Sequence, residues 1–263
     1  MIQYDDLNLA CSGADAGSLA HYRRALRQFQ CYIEDPLASI DAAIAARPDF
    51  VMAHLFKAYL HLIGTEPAGI PVARDCLVAA QRLPANARER GHVEAVSRLL
   101  EGSWHRAGRA LEDVGIDYPR DPLALQIGHL VDFYVGNARM LRDRIARALP
   151  EWSQDMPGYH ALLGMHAFGL EECGDYARAE AQGRTAVEIE PRDGWAQHAV
   201  AHVMEMQCRQ HDGIAWMRAD PEVWSAGSFF KVHLWWHLAL YYLELGETDE
   251  VLALFDGPIH GER

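Results

Sequence analysis

Four histidines and a glutamate stand at spacings that suit metal or acid–base chemistry. His198, His202 and Glu205 follow at i, i+4 and i+7, and His233 and His237 repeat the i, i+4 step. A helix with about 3.6 residues per turn stacks such positions on one face. If the two helices are neighbours, those faces confront each other across about 8–10 Å. Imidazole and carboxylate ligands on adjacent turns suit Zn, Fe, Mn or Ni. His198, His202, Glu205 and His237 are therefore the candidate ligands. The same four are candidate catalytic residues, holding a metal or using Glu205 to orient a histidine base. The structural alternative is a set of core histidines satisfied by carboxylates and backbone.

Aromatic residues gather in the same stretch: Trp195, Trp216, Trp224, Trp235 and Trp236, with Tyr241 and Tyr242. A few polar groups inside an aromatic wall suit a small-molecule pocket, although bulky rings also fill interfaces between helices. Trp195 stands one turn from His198, and Trp236 precedes His237, so both join the ligand-binding candidates. Asp132 follows His129 by three residues and can orient that imidazole or lie on the surface. His160 and His166 are six apart and do not share a helical face. No G-x-S-x-G, H-E-x-x-H, phosphate loop or dinucleotide fingerprint occurs.

Elements able to position these residues follow from a repeated punctuation. Pro48-Asp49, Pro119-Arg120-Asp121 and Pro191-Arg192-Asp193 each precede an alanine-containing apolar run, at intervals of 71 and 72 residues. That interval is about twice a tetratricopeptide repeat of 34 residues. Proline closes one helix and aspartate caps the next. Between these anchors, Gly102-Ser103, Gly174-Asp175 and Gly246-Glu247 each read as a tight turn between two helices, with the polar residue as cap. The pattern predicts an all-α superhelix of about seven helix pairs forming one domain over 1–263. Its inner helices fall near 17–34, 51–63, 88–101, 121–135, 157–173, 193–208 and 229–245. No strand pattern of period two persists.

A formal charge of -13 argues against a phosphate-binding face and against an anionic membrane surface. The apolar stretch Leu234 to Leu245 is interrupted by His237 and Glu244 and is too short to span a bilayer. Five dispersed cysteines and an acidic start without a secretory pattern fit a reducing cytoplasm.

The segment Asp193-Gly194-Trp195-Ala196-Gln197-His198-Ala199-Val200-Ala201-His202-Val203-Met204-Glu205-Met206 is more particular than a generic repeat. With Asp212-Gly213-Ile214-Ala215-Trp216-Met217 and His233-Leu234-Trp235-Trp236-His237, it resembles the tetratricopeptide repeat protein 38 family. Ala53-His54, Arg88-Glu89 before His92, and His129 ahead of Phe133-Tyr134 extend the likeness along the chain. The resemblance implies a tetratricopeptide-like fold and a loosely defined role. It adds His54, His92 and His129 to the groove-lining candidates. Family members are usually longer, so a short or incomplete member is expected. The leading expectation is a groove that binds a small polar molecule or peptide. A hydrolytic or metal-assisted enzyme and a plain interaction scaffold are the alternatives.

Overall fold

Proline, asparagine or aspartate starts several of the helices, and left-handed residues close most turns within helix pairs. The computed structural model describes residues 3–261. Two short strands, β1 (Gln3–Tyr4) and β2 (Ala10–Cys11), precede fifteen helices. These are α1 (Ala16–Cys31), α2 (Pro36–Ala46), α3 (Val51–Ile63), α4 (Gly69–Gln81), α5 (Ala87–Leu100), α6 (Trp104–Asp117), α7 (Pro122–Tyr134) and α8 (Ala138–Ala148). They continue as α9 (Tyr159–Glu171), α10 (Tyr176–Ile189), α11 (Gly194–Met206), α12 (Gln210–Arg218), α13 (Pro221–Ser225), α14 (Lys231–Glu244) and α15 (Thr248–Leu254). Apart from the short α13, they read as seven consecutive pairs. The all-α arrangement of consecutive helix pairs expected from the sequence is the observed fold. None of the described helices is long and apolar enough to cross a membrane.

Asp121 and Asp193 cap α7 and α11, accepting from the Ala124 and Ala196 amides at 2.9 Å. The third member of that grammar departs from it. Phe50, not Asp49, holds the cap position of α3, with no side-chain cap bond. The turns within pairs close through residues of positive φ: Thr65, Gly102, Gly136, Gly174, Cys208 and Gly246. Ser103, Asp175 and Glu247 follow as expected, but their side chains accept no cap bond. At ψ near 60–66° these residues lack the extended cap geometry that turns a side chain onto the first amides. The small β1–β2 hairpin was not legible, because two-residue strands carry no usable alternation.

The chain forms two compact units, Met1–Phe29 with Asp35–Tyr159, and Gln30–Glu34 with His160–Arg263. In the first, the hairpin is tied to the start of α5. Arg88 donates to the Ala10 carbonyl at 2.9 Å, and the Ser12 amide donates to Glu89 at 2.7 Å. Arg88 and His92 both reach the Asp121 carboxylate, at 2.7 and 2.9 Å, and Tyr59 lies 3.0 Å from His92 Nδ1. Burial opposes the charge on Asp121, yet His92, Arg88 and the cap bond hold its carboxyl well below the ordinary value. Asp132 does not orient His129 as weighed above. It is buried against Arg144, which donates to its two oxygens at 2.7 and 3.2 Å.

In the second unit, Val200, Met204, Met217, Leu234, Leu238 and Tyr241 share one core. Gly213 is required there, because a Cβ would lie 2.3 Å from Cζ of the buried Tyr241 ring. Gly213→Ala is expected to cost about 1–3 kcal/mol by overpacking, read from chemical denaturation. An unchanged midpoint would show that the ring can yield.

Candidate metal centre

α11 and α14 pack against each other, and the i, i+4 histidines of both helices meet at that contact. One ligand atom from each of His198, His202, His233 and His237 lies within 4.8 Å of every other. His233 Nε2 is 2.9 Å from His198 Nε2 and 3.1 Å from His237 Nε2. Tetrahedral zinc with bonds of about 2.0–2.1 Å spaces its nitrogens roughly 3.4 Å apart, so small rotations would suffice. His198 and His237 are buried, His202 is half-buried, and His233 reaches solvent. The cluster is therefore open on one side.

Protons alone fit this arrangement poorly. His237 Nδ1 lies 2.9 Å from Glu205 Oε2 and donates to it, so the Nε2 of a neutral His237 is an acceptor. A proton on His233 Nε2 can serve that acceptor. His198 Nε2 then faces the same proton as a second acceptor, which places its own proton on Nδ1. That atom is buried with no hydrogen-bond partner among the described residues. Three lone pairs directed at one cation remove the conflict among the Nε2 atoms.

Electrostatics favour the neutral form of His198, His202 and His233, which is the ligating form. Burial, then the neighbouring His202, His237 and His233, pushes His198 well below the ordinary imidazole value. Burial, with His237 next, lowers His202 to about 4. His233 is lowered for the same two reasons, although part of its ring reaches solvent. The hydrogen bond from His237 holds Glu205 below the usual carboxylate range.

Glu205 thus stands behind His237 as an orienting carboxylate rather than among the four converging rings, a familiar role at metal sites. A second carboxylate, Glu171 on α9, lies 3.8 Å from His202 Nδ1. Burial, with Glu172 and Glu205 adding, raises Glu171 to about 7. Phe168 stacks on His198 with centroids 5.4 Å apart, and Phe230 on His233 at 4.8 Å. Trp195 packs against His198 with centroids 5.1 Å apart. Trp236 lies elsewhere on α14. It faces an exposed apolar groove with Leu240, Leu243 and Phe255, one residue and about 100° around the helix from His237.

His54, His92 and His129 lie in the first unit. His54 is 2.8 Å from the Pro48 carbonyl, and His92 spans Tyr59 and Asp121. The first ties α3 to the turn before it, and the other two join α5 to α3 and to the start of α7. His129 is buried within α7. Sequence reasoning missed Glu171 and Phe168, which no local spacing joins to the histidines, and Phe230, whose i, i+3 spacing to His233 was a usable signal. His160 shares no helical face with His166, and its partner was not foreseen; its Nδ1 donates to Asp193 at 2.7 Å.

No family model matches the chain. Among solved structures, the chain is similar to the P58(IPK) TPR domain at 15% identity, covering 91% of this chain and 82% of that one, with a TM-score of 0.28. The repeat architecture accordingly rests on the helix pairs themselves.

Proposed function

We propose that this tetratricopeptide-like repeat protein binds a divalent transition metal through His198, His202, His233 and His237, and presents it to a small polar ligand. The observation that supports this reading is the convergence of three Nε2 atoms on one point, with Glu205 fixing the tautomer of His237. Four neutral nitrogen ligands favour zinc, iron or nickel over magnesium or calcium, which prefer oxygen. Of the metals weighed from the sequence, manganese fits least, since no carboxylate joins the four rings. The solvent-reaching edge at His233 leaves room for a further ligand, and the Phe168–Trp195–Phe230 wall offers it apolar contact.

Elemental analysis of untagged protein, followed by Zn²⁺ titration calorimetry, tests the proposal. In a Cys31→Ser background, which leaves only the four-histidine centre, about one equivalent is expected, and none after His198→Ala/His202→Ala is added. No uptake in Cys31→Ser, or equal affinity after the two histidines are replaced, overturns it.

A second, catalytic reading is favoured by Glu171 alone. A buried carboxyl titrating near neutrality beside a metal-orienting histidine suits a general base for hydrolysis. Metal-dependent cleavage of activated esters that is lost in Glu171→Gln, at unchanged metal content, would support it. No turnover by the metal-loaded wild type would leave binding alone.

A further inference from the structure

A second cluster of ligating groups lies elsewhere in the second unit, independent of the four histidines. The segment after α1 is held rigidly. Tyr32 and Glu34 adopt φ of 59°, a costly conformation that persists only when its surroundings enforce it. Those surroundings are visible: the Phe229 amide donates to the Tyr32 carbonyl at 3.1 Å, and the Glu34 amide to the Gly227 carbonyl at 2.7 Å. α11 approaches so closely that a Cβ at Gly194 would lie 3.3 Å from the Cys31 carbonyl oxygen.

This scaffold holds the Cys31 thiol beside α9 and the turn before α11. Cys31 Sγ, a ring nitrogen of His160 and a carboxylate oxygen of Glu190 all lie within 4.8 Å of one another. Asp193 Oδ2 accepts from His160 Nδ1 at 2.7 Å, which leaves Nε2 of the neutral ring its lone pair. Asp193 is itself fixed by capping α11.

The first unit supplies a comparison. There His92 is bound to the capping Asp121, and its other nitrogen meets the Tyr59 hydroxyl. The neutral, buried phenol of Tyr59, held far above its ordinary pKa by burial, is no metal ligand. In the second unit a thiol and a carboxylate stand beside the equivalent ring.

We propose that Cys31, His160 and Glu190 form a site for a thiophilic divalent cation such as Zn²⁺. One sulfur, one nitrogen and one oxygen are a ligand set that zinc accepts. Binding breaks the Cys31 S–H bond, forms an S–metal bond and releases the proton to solvent. Thiolate and the Glu190 carboxylate together match the charge of the ion, as its burial demands, and Asp193 stands behind His160 as the orienting carboxylate. The half-buried Glu190 gives the ion its way in.

Cobalt(II) titration of the full chain separates this site from the all-nitrogen centre. A thiolate-to-cobalt charge-transfer band in the near ultraviolet is expected at about one equivalent. It should persist in His198→Ala/His233→Ala and vanish in Cys31→Ser. No such band at saturating cobalt overturns the proposal, as does a band that survives in Cys31→Ser. Should Cys31→Ser fail to fold, Glu190→Gln decides: the affinity read from the band should fall at least about tenfold, and an unchanged affinity refutes the site.

Discussion

Replacing Asp121 with alanine is expected to destabilise the first unit by about 3–5 kcal/mol, the usual cost of removing one partner from a buried ion pair. The carboxylate meets Arg88 and His92 within 2.9 Å and caps α7. Arg88 and Asp121 are both buried, so the variant strands a guanidinium without its counter-charge. Chemical denaturation measures the effect. Asp41 is the control, because its 2.7 Å bridge to Lys57 is exposed on the aspartate side, and Asp41→Ala should cost less than about 1 kcal/mol. Equal losses at the two positions would refute the argument.

The sign of the pH dependence follows from the same network. Asp121 is held below its unfolded value of 3.8, so the folded unit binds fewer protons there than the unfolded chain. Its contribution is complete above that value and is lost as pH falls through the folded pKa. Acid unfolding of the first unit should therefore begin below about pH 4. Asp121→Asn, which keeps a cap acceptor, should flatten that limb.

Zinc is expected to raise the apparent stability of the second unit by about 2.7 kcal/mol at a free concentration one hundred times Kd. In a Cys31→Ser background, which leaves only the four-histidine centre, the effect should disappear on adding His198→Ala/His233→Ala, with the metal-free melting curve as reference. Titrating the rise against zinc concentration distinguishes linkage from non-specific binding, since linkage grows logarithmically. A metal-independent wild-type curve would refute the four-histidine centre.

The sequence carries this centre unevenly. His198 with His202, and His233 with His237, were legible because the helical period turns four residues into one face. The starts of α7 and α11 were legible because proline and aspartate act locally. Glu205 shares the face of His198, which made it a candidate ligand; only the placement of α14 shows that it serves His237. Glu171 and Phe168 come from α9, and their proximity to His198 and His202 depends on helix packing that no spacing records. The pairing of His160 with Asp193 is equally long-range. His54 and His92 show how local geometry engages such rings, through the Pro48 carbonyl and through Tyr59 and Asp121.

The histidine-to-cap bonds also give the repeats a polarity. His92 on α5 holds the aspartate that starts α7, and His160 on α9 holds the one that starts α11. In both cases the earlier pair secures the beginning of the later one. Trimming the chain from its carboxyl end should therefore leave each remaining start intact. Trimming from the amino end removes the anchor of the next helix and frays it, so the two ends are not equivalent as places to shorten, fuse or unravel this protein.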